Sequence, residues 1–156
     1  ADIDIKAPIL GDEWQIGMTN TIKWTSGGAG DRVNLYYSTN NGALWTQIAG
    51  GGDYPNQNYP ATNSFDWTIP SDPSDAAVIR IAAVQGNESL WATSLVFNIA
   101  GVRVDYPNGT FGELPWQLGR SEQIRWTFAA AGPSAAGQIR ISYGGDTNYL
   151  DVSASG

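Results

Sequence analysis

Apolar residues fall on every second position in one short run after another. Thr21-Ile22-Lys23-Trp24-Thr25 alternates polar and apolar, as do Arg32-Val33-Asn34-Leu35-Tyr36-Tyr37, Ser64-Phe65-Asp66-Trp67-Thr68-Ile69, Ile79-Arg80-Ile81 and Leu95-Val96-Phe97-Asn98-Ile99. A strand turns successive side chains to opposite faces, so such a run buries one face and wets the other. Each run is rich in β-branched or aromatic residues and is bounded by Gly, Pro, Asn, Asp or Ser. No stretch of ten residues carries the helical period. Asn41-Gly42 reads as a hairpin turn, because both residue types tolerate positive φ. Residues 50–63 read as a long loop, and Gly50-Gly51-Gly52 within it as a flexible connection. That triplet is not a phosphate loop, since no Lys-Ser/Thr pair and no helix follow it. Short strands at intervals of roughly ten residues predict an all-β, antiparallel β-sandwich.

The second constraint is a repeat. Trp14-Gln15-Ile16-Gly17, four residues, then Ile22-Lys23-Trp24-Thr25 recurs as Trp116-Gln117-Leu118-Gly119, four residues, then Ile124-Arg125-Trp126-Thr127. A proline precedes each copy (Pro8, Pro107) and itself follows an alternating strand, with Ile3 and Ile5 in one copy and Val102 and Val104 in the other. A Gly/Ala-rich loop and a further strand follow each copy, Val33-Leu35-Tyr37 in the first and Ile139-Ile141-Tyr143 in the second. Residues 1–100 are therefore expected to form one module, and residues 101–156 the first-half strands of a second. Half a sandwich leaves its core face without an opposite sheet and its edge unpaired. The exposed set is then Ile124, Trp126, Phe128, Ile139, Ile141 and Tyr143. Three outcomes stay open: a longer protein supplies the missing half, the half-module packs on the first module, or another subunit completes it by strand addition. Residues 1–7 can act as such a donor, but read better as the first strand of their own module.

The order Pro8, Trp14-x-x-Gly17, Ile22-x-Trp24, Val33-x-Leu35-x-Tyr37-Ser38, Asn40-Asn41-Gly42, Phe65-x-Trp67-x-Ile69-Pro70, Ile79-Arg80-Ile81 and Phe97-x-Ile99 resembles a known module. It is the Ig-like β-sandwich of the serine/threonine-rich GPI-anchored membrane protein family, found also in yeast cell-wall β-1,6-glucan synthesis proteins. Similar modules occur in tandem in large secreted bacterial and archaeal proteins. The resemblance covers residues 3–99 well and 102–143 in part. It implies an extracellular, wall- or surface-associated, non-enzymatic sandwich, and carries over no catalytic residue. One departure is Glu88-Ser89-Leu90-Trp91-Ala92, which puts a large aromatic where similar modules have a short turn.

Composition removes whole classes of chemistry. With no His and no Cys, there is no Ser-His-Asp triad, thiol nucleophile, haem ligand set, iron–sulfur cluster or ordinary zinc site. A Ca²⁺ site of carboxylates and carbonyls survives, with Asp53, Asp72 and Asp75 in loops, yet no Asp-x-Asp-x-Asp-Gly run is present. No other cofactor is expected. Eight cations against fifteen acids, net charge −7, argue against tracking a nucleic-acid backbone. No run of eighteen apolar residues predicts a membrane span, and no basic-then-apolar leader pattern is read at the front, so any leader is expected to have been removed. Charged residues make up only 15%, with Lys6 and Lys23 the two lysines, so the polar surface rests on Thr, Ser, Asn, Gln and Gly. That surface points to the cell exterior. Absence of Cys leaves the compartment open.

Seven tryptophans and seven tyrosines dominate the remaining candidates. Trp24, Trp67 and Trp126 sit on apolar strand positions and are expected in a core. Trp45 is placed to pack on a sheet edge. Tyr36, Tyr54, Tyr59 and Trp91 fall on polar positions or loops, where they bury partly, anchor a protein interface or stack on sugar rings; Tyr54, Tyr59 and Trp91 are the candidate glycan platform. Asn87-Glu88-Ser89 and Asn108-Gly109-Thr110 fit the N-glycosylation pattern at Asn87 and Asn108, and the second also reads as a turn. No catalytic pair of acids is marked by spacing. The expected function is a structural module that self-associates into a surface filament or layer. The alternatives are a polysaccharide-binding adhesion module and a passive spacer of a larger secreted protein.

Overall fold

The computed structural model describes residues 2–84, 90–109, 116–129, 140–142 and 149–151. Among these residues there are thirteen strands: β1 (Asp2–Ala7), β2 (Glu13–Gln15), β3 (Thr19–Gly27), β4 (Arg32–Ser38), β5 (Thr46–Gln47), β6 (Tyr54–Pro55), β7 (Asn63–Thr68), β8 (Ser74–Ala83), β9 (Trp91–Thr93), β10 (Phe97–Tyr106), β11 (Arg125–Ala129), β12 (Arg140–Ser142) and β13 (Tyr149–Asp151). Among the described residues none is helical. The protein is an all-β sandwich, as the alternation requires.

One sheet is β1-β3-β7, antiparallel throughout. The opposite sheet runs β11-β10-β8-β4-β5, with β6 also on β4, β9 on β8 and β2 on β10. The β2–β10 pair is parallel, so the sheet is mixed where a purely antiparallel one was expected. The inward residues of the two sheets interdigitate as one core. Ile22, Trp24, Val33, Leu35, Ile79, Ile81, Phe97 and Ile99 are completely enclosed. Trp14 meets Phe97 with ring centroids 5.2 Å apart and Trp67 at 6.2 Å, while Tyr37 lies 5.1 Å from Trp67. Such tilted and edge-on contacts add to the area the rings bury.

Polar groups in this core are paired, as burial demands. Trp24 Nε1–H donates to Asn56 Oδ1 at 2.9 Å, Ser26 Oγ donates to the same oxygen at 3.1 Å, and Asn56 Nδ2 donates to the Gly30 carbonyl at 2.8 Å. Asn58 Oδ1 accepts from the backbone N–H groups of Gly28 and Ala29, and Asn63 clamps the backbone of Gln57 through both of its amide atoms. The 50–63 segment is therefore a tied structure. Its glycine triplet is not a flexible connection either. A Cβ on Gly51 would lie 3.0 Å from Leu35 Cβ and 3.1 Å from the Ile48 carbonyl oxygen. The Gly51 N–H donates to that carbonyl, and the Gly51 carbonyl accepts from Leu35 N–H.

Of two further expectations, the hairpin turn is refined and the loop around Trp91 corrected. Asn41 and Gly42 do take positive φ, 53° and 86°, but inside a longer connection between β4 and β5, where Ser38 Oγ and Asn40 Oδ1 accept the N–H groups of Gly42 and Leu44. Trp91 is not in a loop. It opens β9, which pairs with β8 in the register Ala82–Trp91, Ile81–Ala92 and Arg80–Thr93.

Strand β10 is the longest-reaching element. Its first half pairs with β8 and β2 inside the sandwich, and its second half pairs with β11 outside it. It runs unbroken across the expected boundary at residue 100. At the crossover Gly101 has φ 151°, and a Cβ there would sit 2.6 Å from Ile16 Cδ1. Glycine is the residue that permits both the backbone and the close approach.

Candidate functional site

Within residues 101–129, the second half of β10 pairs with β11 as a two-stranded ribbon. Its register places Val102 opposite Phe128 and Val104 opposite Trp126, then shifts before Tyr106–Arg125. In the sandwich, Ile3 stands opposite Ser26 and Ile5 opposite Trp24, with the same kind of shift before Ala7–Lys23. Cis peptide bonds occur at Ala7–Pro8 and Tyr106–Pro107.

The surroundings of the two copies differ. Trp24 is 0% exposed and its counterpart Trp126 is 48% exposed; Trp14 is 6% and its counterpart Trp116 is 39%. Val102, Val104 and Phe128 share the face of Trp126 and are exposed, as is Leu118. Trp126 is thus not a core residue, because no second sheet covers its ribbon among the described residues. Ile124, just before β11, is half-buried. Ile141 lies in β12, in register with Leu150 of β13. Ile139, Tyr143 and Asn87 lie outside the described residues. Asn108 does lie within them, on the exposed turn after β10, and its Nδ2 donates to the Asp105 carbonyl at 3.0 Å.

The ribbon's other face is polar and turned to the sandwich. Arg103 donates from Nε to Asp105 and from Nη1 to Asp72, each at 2.8 Å. Asp72 also accepts the Tyr37 hydroxyl at 2.9 Å, and Asp105 accepts the Thr127 hydroxyl at 2.6 Å. The chain Tyr37–Asp72–Arg103–Asp105–Thr127 ties β4, the segment after β7 and both ribbon strands together. Burial, then the hydrogen bond to Asp72, pushes the Tyr37 phenol up to about 12. The Thr127 hydroxyl, then the Arg103 guanidinium, holds the Asp105 carboxyl below its ordinary range. The Asp105 hydrogen bond raises Arg103 further.

The expected glycan platform is split by the sheet. Tyr54 is turned inward beside Val33 and packs edge-on against Phe65, centroids 5.0 Å apart, with its hydroxyl on the Ser64 carbonyl. Tyr59 is exposed in the loop after β6. Trp91 stands on the outer face of the sheet, opposite Ala82. There it has company that alternation alone did not reveal. The Arg80 guanidinium carbon lies 4.0 Å from the Trp45 ring centroid and 4.4 Å from that of Trp91. Trp45 therefore packs on the sheet face rather than on its edge. Tyr36 faces Arg80 across the β4–β8 pair. The outward position of Arg80 between Ile79 and Ile81 was the available signal, but nothing in the sequence joined it to Trp45.

A cleft of about 400 Å³ opens between β5 and β7, lined by Tyr37, Ile48, Phe65, Trp67 and Thr68 among others. Among the described residues Asp66 is its one carboxylate, and it accepts the Thr21 hydroxyl at 2.7 Å. Among the described residues no three acidic side chains gather as a metal site. Asp72 is engaged by Arg103 and Tyr37, Asp53 sits at φ 47° with its N–H on Asn34, and Asp75 lies on β8.

The fold and these surfaces define a β-sandwich extended by an apolar-faced ribbon. No family model matches the chain, and no curated protein or solved structure matches it.

Proposed function

We propose that this chain is a structural unit of an extracellular assembly, joined to a second copy of itself through the apolar face of the β10–β11 ribbon. One observation carries the reading. Val102, Val104, Trp126 and Phe128 form a continuous exposed face, although the same register in the sandwich puts Ile5 against Trp24 under an opposite sheet. A second sheet laid on that face gives the ribbon the covering that β1-β3 already has. Burying each of these side chains contributes about 1.5–3 kcal/mol, set against the cost of association. The polar opposite face, held to the sandwich by Arg103, keeps the apolar one pointing outward. The low-lysine surface and the resemblance to wall-associated modules support a place outside the cell.

Light scattering with negative-stain electron microscopy tests this. Oligomers or filaments are expected for the wild-type chain. Phe128→Asp is expected to return it to monomer while the melting of the sandwich stays unchanged, since Phe128 lies outside the sandwich core. A wild-type chain that stays monomeric at high concentration overturns the reading.

A further inference from the structure

Arg80 is held in an unusual way. It projects from the outer face of β8 between two indoles, 4.0 Å from Trp45 and 4.4 Å from Trp91. Its Nε is enclosed and has no hydrogen-bond partner. Among the described residues it makes no ion pair, in a chain where acids outnumber bases fifteen to eight. A buried unpaired donor on a charged group is costly and calls for an explanation. The two indoles, with its guanidinium carbon over both rings, give attraction but are not hydrogen-bond acceptors in the plane of its N–H groups. They also fix the side chain, so that its end, with Nη1 and Nη2, is the part left for an incoming group.

We infer that this Trp45–Arg80–Trp91 clamp is a binding site for a carboxylate-bearing saccharide, a uronic acid unit of a polysaccharide. The planar fork of a guanidinium matches a carboxylate with two parallel hydrogen bonds. Preorganisation between the indoles removes the rotamer entropy that a free arginine loses on binding. Trp91 is 51% exposed beside the fork, so its uncovered surface meets the sugar ring when the carboxylate is on Arg80. A pyranose offers axial C–H groups to that surface, which a phosphate or a sulfate ion lacks. The site lies on the sandwich sheet and does not depend on the ribbon.

The test is a titration of the full chain, followed by tryptophan fluorescence and by NMR of the Arg80 side chain, with a galacturonate trimer as probe. The galacturonate methyl ester trimer and acetate serve as controls. A saturable change is expected with the trimer, at least tenfold weaker binding with the ester, and no comparable binding of acetate. Arg80→Lys keeps the charge but loses the fork, and is expected to weaken binding tenfold or more. Trp91→Ala is expected to do the same, with the fold checked by thermal melting. Equal binding of acid and ester trimers, no saturable change, or an Arg80→Lys variant that binds like wild type overturns the inference. So does acetate binding as tightly as the trimer, which makes the site a carboxylate site without a sugar; an acidic peptide outcompeting the trimer makes it a protein contact instead.

Discussion

The indole N–H of Trp24 donates to the side-chain oxygen of Asn56 at 2.9 Å, although the two residues are 32 positions apart and Asn56 lies in a segment with no apolar pattern. The same oxygen accepts Ser26 Oγ, and the amide nitrogen of Asn56 closes on the Gly30 carbonyl. A single asparagine thus satisfies a fully buried indole of the core and ties the 50–63 segment to β3 and to Gly30.

Asn56→Ala leaves a buried indole N–H without an acceptor. The cost of such an orphan is about 1–3 kcal/mol. Chemical denaturation is expected to show that loss, with a lower midpoint and an unchanged slope. Asn56→Asp keeps the acceptor and loses the donor to Gly30, and is expected to fall between the two. An alanine variant as stable as wild type contradicts the pairing.

Gly51→Ala presses a methyl group against Leu35 Cβ and the Ile48 backbone, neither of which can swing away. Overpacking of this sort costs about 1–3 kcal/mol. Gly52→Ala serves as a comparison, since a Cβ there meets only the amide end of the Gln47 side chain, which can swing away. The Gly51 variant is expected to melt lower than the Gly52 variant.

Tyr37 fixes a loss of stability in alkali. Its folded value of about 12 lies above the ordinary 10.0. The folded state therefore holds the proton more tightly, and the contribution is fully present below pH 10 and is lost as pH rises toward 12. Tyrosinate absorbance is expected to show a late phase near pH 12 that is absent in Tyr37→Phe. Stability of that variant is expected to fall less steeply over the same range.

Asp105 gives the opposite sign. Its folded value is lowered from 3.8, so its contribution is present above pH 3.8 and is lost as pH falls through the depressed value. Thr127→Val removes the leading cause. NMR titration of the Asp105 carboxyl is expected to move upward in that variant, and hydrogen exchange in β11 to quicken as acid releases Arg103 from the ribbon.

The sandwich was legible because alternation is a local property: Ile22-Lys23-Trp24 and Phe65-Asp66-Trp67 declare their buried faces within a few residues. Alternation at Trp126 points to a core, and only the repeat, which leaves that face without an opposite sheet, points to its exposure. Alternation tells which side of a strand is apolar, but whether a sheet lies over it depends on chain elsewhere. Strand β9 was missed because three residues carry no period, and its strand character comes from pairing with β8. Asn56, Asn58 and Asn63 looked like loop filler, since their partners at Trp24, Gly28 and Gln57 become neighbours only after folding. Tyr54 falls in a loop by sequence, where partial burial, an interface and sugar stacking all stay open; pairing of β6 with β4 and the contact with Phe65 decide for burial. Arg80 between two indoles joins three separate elements, so no local pattern records it.

The unbroken course of β10 has a mechanical consequence. Tension applied along the chain between the sandwich and the ribbon meets no slack linker. It passes straight down one extended backbone, ten residues long, that is gripped by β8 and β2 at one end and β11 at the other. Gly101, wedged against Ile16 at the crossover, is where that load changes hands. A strand shared in this way hands the twist of the sandwich sheet directly to the ribbon.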